Sequence, residues 1–162
     1  MTNFAKPSQR SRLLLAAGLT AGVLLSVASA AAAVDPVNKN RSGVALKGYD
    51  PVAYFEERKP VRGSAQFSHE WMGARWQFAS AENRDTFAAS PNQYAPQFGG
   101  YCAWAVSQGY TGDVDPDAWR IVEGKLYLNY SKGVQKKWEQ DVIKRIEEAN
   151  KNWPMLHRAK PR

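Results

Sequence analysis

The first 33 residues constrain the fold most, because they have the composition of a secretory signal peptide and would lie outside any folded domain. The segment opens with three basic side chains and no acidic one, at Lys6, Arg10 and Arg12. An apolar run over residues 13–27 follows, and small residues at 28–33 offer a cleavage site. The run is shorter than the roughly 18–20 apolar residues of a membrane span, which favours cleavage over an uncleaved anchor. We therefore expect a periplasmic or secreted protein with no stable membrane span after cleavage.

The 129 residues that follow are enough for one domain with a single modest core. They carry 19 basic and 15 acidic side chains, a net charge of +4, whereas the whole chain carries +7. No RNA-recognition motif, zinc-finger spacing or long basic run occurs, so nucleic acid is not an expected partner. Residues 34–47 are polar and contain Pro36 and Gly43, which predicts a linker or a loosely docked arm.

Capping signals predict two helices in the first half of the domain. Asp50-Pro51 is typical of a helix start, and a short helix is expected through Phe55. Ser80 is the expected N-cap of a second helix that ends near Pro91, with Phe87 facing inward.

Two alternating segments predict β-hairpins, because apolar side chains at every second position place one face of a strand on the core. The first spans residues 65–78 around a tight turn at Met72-Gly73. Asp115-Pro116 predicts a turn, and the second hairpin follows over residues 119–130 around Glu123-Gly124. One face of the first hairpin carries Phe67, His69 and Trp71.

A long C-terminal helix is predicted from Ser131 to Pro154, because apolar side chains recur there every three or four residues. These side chains are Val134, Trp138, Val142, Ile146, Ala149 and Trp153. Such a stripe is typical of core packing. The predicted fold is α+β, a small single domain with two β-hairpins packed on short helices and a long C-terminal helix.

Several separated motifs resemble the YHS domain, and most closely its extended, exported form with a selenoprotein-like branch. They are GYDPVAYF at residues 48–55, GARWQFAS at 73–80 and PNQY at 91–94, followed by segments at 99–103, 124–130 and 131–153. The resemblance implies a YHS-type core over residues 48–106 and a C-terminal extension over 107–162, within one domain. It implies a small α+β fold and no settled activity.

The sequence departs from the metal-associated YHS domains at the positions where these carry cysteines. Those positions fall here on Ala53, Ala79 and Asn83. None of these side chains supplies a thiolate, so a soft-metal site of that kind is not expected. The resemblance instead places the sulfur of the exported branch at Cys102.

Cys102 is the only cysteine of the chain and the first candidate site residue. An exported protein usually pairs its cysteines or has none, so a single thiol is an inert buried side chain, an intermolecular partner, or a reactive or metal-binding group. Gly99-Gly100 precedes it and allows close backbone approach. If Cys102 opens a helix, the helix N-terminus favours its thiolate.

Two further side chains are candidate ligands of a soft, copper-like metal together with Cys102. His69 qualifies only if it lies near Cys102, and Met72 adds a thioether. A single histidine on an apolar face is more often a core residue, and His157 in the basic tail is an unfavourable partner. Side chains that could line a pocket around such a site are Tyr49, Asp50, Tyr101, Trp104 and Trp119. Core packing is the favoured explanation of the aromatic ones, and helix capping is the better explanation of Asp50.

Three functions remain open from these residues. The leading one is a binding module, not an enzyme, that holds a copper-like metal or a small ligand at Cys102. The second is a thiol redox or peroxide-reducing protein in which Cys102 cycles and an external thiol resolves it. The third is an interaction module with an inert, buried Cys102.

Overall fold

Two antiparallel β-hairpins and six α-helices form the part of the chain that the computed structural model describes, residues 1, 2 and 34–157. The predicted signal peptide falls almost entirely outside these residues. Residues 34–157 belong to one compact unit. Within that range, no helix combines the length and the apolar character that crossing a bilayer requires. The predicted α+β fold, with its two hairpins and its C-terminal helical segment, is confirmed.

Both hairpins form where alternation predicts them. Strand β1 (Ser64–Trp71) pairs with β2 (Ala74–Phe78), and β3 (Asp115–Val122) pairs with β4 (Lys125–Asn129). All four turn residues have positive φ, namely 51° and 69° at Met72-Gly73 and 48° and 73° at Glu123-Gly124. Two-residue turns of this kind match the twist of the flanking strands and fix the register. The turn predicted at Asp115 is wrong, because Asp115 already pairs with Asn129 as the first residue of β3.

One short helix precedes the first hairpin, α1 (Ala53–Glu56), and three connect the two hairpins: α2 (Ala81–Ala89), α3 (Pro91–Tyr94) and α4 (Ala103–Ser107). Both predicted capping side chains accept amide hydrogen bonds near a helix start, but α1 begins at Ala53 and not at the predicted Pro51. Asp50 Oδ1 accepts hydrogen bonds from the amides of Val52 and Ala53, and Ser80 Oγ accepts one from the amide of Asn83. Side-chain oxygens at these positions satisfy amides that a helix start leaves without partners.

The C-terminal segment forms two helices, α5 (Lys132–Glu139) and α6 (Val142–Leu156). The prediction of one continuous helix from Ser131 to Pro154 is therefore wrong, although α6 is the long C-terminal helix that was expected. Asp141, at φ −150°, leaves the helical region between them. Aspartate is a weak helix former whose side chain competes with the backbone for hydrogen bonds. Interrupting the helix at Asp141 therefore costs little free energy. The helix also continues beyond Pro154, and the amide of His157 donates to the carbonyl of Trp153 at 2.9 Å.

Two apolar clusters make up the core. The larger one joins the first hairpin and α1 to the second hairpin, through buried side chains such as Tyr54, Trp76, Phe87 and Leu128. The smaller one joins α4 to α5 and α6 through Phe98, Tyr127, Trp138 and Ala149. The predicted apolar stripe of the C-terminal segment packs into these clusters, as expected for core packing.

The segment 34–47 is not a loosely docked arm in the structure. Val37 and Ala45 are almost fully buried in the larger cluster. Residues 43–45 also extend the first hairpin, because the amide of Ala45 donates to the carbonyl of Arg75 at 2.9 Å, and the amide of Arg75 donates to Gly43 at 2.8 Å. The prediction of a loose arm was wrong because it followed the mostly polar composition of the segment, whereas a few apolar side chains dock it on the core.

Candidate functional site

Cys102 lies at the start of α4 and is sealed from solvent, with 1% of its surface exposed. Its amide donates to the carbonyl of Gly112 at 3.0 Å, which ties the helix start to the loop before β3. Its sulfur accepts from the amide of Tyr130 at 3.3 Å and lies 3.8 Å from Asn129 Oδ1. The thiol therefore joins α4 to the end of β4 inside the core.

The electrostatic surroundings of Cys102 favour the neutral thiol. Burial raises the pKa of the Cys102 thiol, and hydrogen bonds from the backbone amides of Ala105, Tyr130 and Trp104 offset only part of that rise. A helix start at Cys102 was expected to stabilise the thiolate. The helix start is present, but α4 is only five residues long. Desolvation of the sulfur raises the thiol pKa by more than this helix N-terminus lowers it. Reactive and metal-binding cysteines need the opposite balance.

The structure does not gather His69 and Met72 around Cys102. His69 lies on β1 opposite Trp76, and its ring meets that of Phe87 edge-on at a centroid distance of 6.2 Å. Met72 lies in the turn of the first hairpin and is 46% exposed. None of the described hydrogen bonds joins either side chain to Cys102, whose sulfur contacts elements of the second hairpin.

The side chains predicted to line a pocket are dispersed over the domain. Tyr49 lies under the guanidinium of Arg62, Trp104 under that of Arg145, and Trp119 meets Tyr54 edge-on. Tyr101 packs against Trp153, and Asp50 is fully buried. Tyr49, Asp50 and Trp119 lie around the buried Tyr54, and Tyr101 and Trp104 pack on the smaller cluster. None of the five lines the aromatic cleft described below.

Asp50 is the centre of a hydrogen-bond network. Besides capping α1 through Oδ1, it accepts through Oδ2 from the amide of Ala79 at 2.8 Å and from Asn83 Nδ2 at 2.7 Å. Positions 53, 79 and 83 therefore converge on one carboxylate, although they are widely separated in sequence. These are the positions that the sequence resemblance aligns with the cysteines of metal-associated YHS domains. Here they donate hydrogen bonds to an anion and supply no sulfur, so this set does not fit a soft metal.

An aromatic cleft lies between the first hairpin, the segment before α4 and the end of α6, with a volume of about 180 Å³. We call it the aromatic cleft throughout. Its main side chains are Trp71, Met72, Trp76, Phe98, Trp153 and His157. The lining also includes Asn92, Ala95, Pro96, Gln97 and Gly99. Pro36 and Val37 add to it, so the cleft depends on the docked segment 34–47.

Local contacts fix the walls of the aromatic cleft. Trp76 Nε1 donates to the carbonyl of Trp71 at 3.1 Å, which orients one indole against the other. His157 stacks on Trp153, with ring centroids 5.1 Å apart and an angle of 13° between the planes. His157 Nδ1 is buried and has no hydrogen-bond partner in the described part of the chain.

A second depression is polar, and its cations are already paired. Its lining includes Asn38, Lys39, Lys47 and Asp113. Lys47 forms an ion pair with Asp113 at 2.7 Å, while Lys39 donates to the carbonyl of Gly73 at 3.0 Å. We therefore do not assign it as an anion site.

The sequence interpretation missed His157 and the cleft itself. The one available signal was the spacing of Trp153 and His157, which places the two rings on one face if the helix passes Pro154. The cleft draws on segments near residues 36, 72, 98 and 153, and no local pattern predicts their meeting.

No group of three or more His, Cys, Asp or Glu side chains arranged to hold a metal occurs within residues 34–157. Comparison with family models, curated proteins and solved structures gives no match for the chain.

Proposed function

We propose that this chain is an exported binding protein of the YHS type, that its ligand site is the aromatic cleft, and that Cys102 is a structural core residue. The observation that carries the proposal is the contrast between the two sites. The cleft is open and lined by three indoles, whereas the Cys102 sulfur is sealed and its pKa is raised. A concave, largely aromatic surface with a few polar groups is the usual form of a ligand site.

The YHS assignment within this proposal is supported by the convergence around Asp50. Three positions chosen from sequence motifs alone, 53, 79 and 83, contribute donors to a single buried carboxylate. Positions that together hold a metal ion in some members of a family must lie close together in the other members, because all of them share one fold. Export is supported by the composition of residues 1–33.

The redox alternative requires Cys102 as an accessible thiolate. Burial opposes both conditions, because it excludes the oxidant and disfavours the charged form of the sulfur. The measurement that separates the alternatives is the rate of alkylation of the native protein by iodoacetamide at neutral pH. A binding protein with a structural Cys102 reacts far more slowly than the same chain in denaturant. Equal rates in the two states would contradict this part of the proposal.

The cleft is tested with a small aromatic probe, 4-fluorophenol, followed by the broadening of its ¹⁹F NMR signal. Trp153→Leu removes one wall and is expected to weaken binding of the probe by about tenfold, the equivalent of one lost aromatic contact. Trp104→Leu is the matched control, because Trp104 is also half-buried and packs on the same smaller cluster but lies outside the cleft. Equal loss in both variants, or none in Trp153→Leu, would refute the cleft as the site.

A further inference from the structure

Asn38 fastens the segment 34–47 to one wall of the aromatic cleft. Its amide donates to the carbonyl of Gly99 at 2.8 Å, and its Nδ2 donates to the carbonyl of Gly100 at 3.2 Å. The same Nδ2 lies 3.4 Å from Asp113 Oδ1. Gly99 lines the cleft, so Asn38 ties the segment to the wall that precedes α4.

Lys39, the next residue, fastens the same segment to a second wall. Its Nζ donates to the carbonyl of Gly73 at 3.0 Å, in the hairpin turn that also carries Met72 of the cleft lining. The ammonium group lies 3.6 Å from a carboxylate oxygen of Asp35, and the side chain is only 24% exposed. Lysine side chains are mostly exposed in folded proteins. This one is instead committed to holding the turn of the first hairpin.

The backbone that carries these two side chains is itself fixed. Val37, just before Asn38, is 1% exposed within the larger cluster. Lys39 forms an antiparallel bridge with Ala45, which is hydrogen-bonded to the first hairpin. A wall that moves away from the segment must therefore break the hydrogen bonds of Asn38 or of Lys39.

The volume of the aromatic cleft limits what fits between these walls. Drug-sized ligands and cofactors occupy pockets of about 300–1,000 Å³. The cleft, at about 180 Å³, is smaller than that range. A dry protein cavity of about 150 Å³ holds one benzene molecule, so the cleft has room for a single ring.

We propose that Asn38 and Lys39 are positioning residues that set the width of the aromatic cleft and restrict it to ligands with one aromatic ring. This inference rests on the proposed function and adds the size class of the ligand. Neither side chain lines the cleft, so each acts through the wall that it holds. Releasing a wall widens the cleft, which removes the barrier against a second ring.

The experiment compares two probes by ¹⁹F NMR titration, 4-fluorophenol with one ring and 6-fluoro-2-naphthol with two. In the unsubstituted chain the one-ring probe should bind about tenfold more tightly, because forcing an oversized group between fixed walls costs about that much. Asn38→Ala and Lys39→Met should each shift the affinity ratio about tenfold toward the two-ring probe, which buries more apolar area once it fits. Lys39→Met keeps the length of the side chain and removes only the ammonium group.

Two control variants remove similar groups without releasing a wall. Asn40 Oδ1 accepts hydrogen bonds only from amides of its own segment among the described residues, so Asn40→Ala loosens the segment locally. Lys59 pairs with Glu57 outside the cleft lining, so Lys59→Met removes a paired ammonium group elsewhere. We expect both variants to keep the affinity ratio of the unsubstituted chain.

The outcomes separate this inference from the proposed function. An unchanged ratio in Asn38→Ala and Lys39→Met, or equal weakening of both probes, would show a merely structural role and overturn the inference. Binding of 4-fluorophenol in that case still supports the cleft as the ligand site. If neither probe binds the unsubstituted chain, the inference and the proposed function both fail. Thermal unfolding midpoints identify a variant that has lost its fold, and Lys39→Met decides the result if Asn38→Ala is such a variant.

Discussion

Gly99→Ala tests whether the segment 34–47 is locked onto the domain and shapes the cleft. Gly99 has φ +60°, and a Cβ added there would overlap the carbonyl oxygen of Pro36. Gly124→Ala is the matched control, because Gly124 has φ +73° but nothing within 4 Å of the added Cβ. Both substitutions place alanine in the left-handed region, at a net cost of about 1 kcal/mol after the smaller entropy of the unfolded chain is included.

The additional cost in Gly99→Ala follows from what the overlap displaces. Moving the Pro36 backbone breaks the hydrogen bond from the amide of Asn38 to the carbonyl of Gly99, 2.8 Å long and worth about 1 kcal/mol. It also exposes Val37, now 1% exposed, at about 1.5–3 kcal/mol. We expect Gly99→Ala to lower the free energy of unfolding by about 3–5 kcal/mol, against about 1 kcal/mol for the control.

The assay is urea unfolding followed by tryptophan fluorescence, with Val37→Ala added in each background. If Gly99→Ala releases the segment, adding Val37→Ala lowers the free energy of unfolding only slightly in the Gly99→Ala protein. In the Gly124→Ala protein, where the segment stays docked, Val37→Ala lowers it as much as in the unsubstituted chain. Equal stability of the two glycine variants would show that the segment is not locked by this contact, and the reasoning would be wrong.

Three further predictions concern the core. Asp50→Asn replaces one carboxylate oxygen by an NH2 group that faces two donors and accepts from neither, so it should cost about 2–5 kcal/mol in chemical denaturation. The exposed Asp113→Asn should cost under about 1 kcal/mol. Burial raises the pKa of Cys102 and, more strongly, that of Tyr54. Above its ordinary pKa each group loses its proton in the unfolded chain but keeps it in the folded one. The free energy of unfolding should therefore fall as pH rises above about 8.5, because of Cys102, and more steeply above about 10, because of Tyr54. The Tyr54→Phe protein should show a shallower loss above pH 10, and an unchanged slope would refute the assignment. The triple variant Ala53→Cys, Ala79→Cys and Asn83→Cys should bind Co(II) and show sulfur-to-metal charge-transfer absorption. If this absorption is absent, the three positions do not form the cysteine site of metal-associated YHS domains.

Local signals account for most of the elements that the sequence predicted correctly. Alternation and a glycine turn identify each hairpin, and the caps at Asp50 and Ser80 depend on contacts within three residues. The break at Asp141 was missed because the apolar stripe continues in phase on both sides of it. The docking of Val37 was missed because it depends on partners that are distant in sequence.

The candidate site was less predictable than the fold. Sequence reasoning considered a helix start at Cys102 only as a condition and could not decide the exposure of the thiol, which is set by packing against the second hairpin. It proposed Met72 as a soft ligand beside Cys102, whereas the structure places Met72 in the exposed turn of the first hairpin. It set His157 aside because Pro154 was expected to end the helix, whereas the helix continues and brings His157 to the cleft.

The measurement that tests the central claim most directly is an anomalous-scattering map of crystals of the chain soaked in 4-bromophenol, a heavier analogue of the fluorinated probe. The proposal predicts one strong bromine peak in the aromatic cleft and none beside the buried Cys102. A map with no bromine in the cleft would contradict the account.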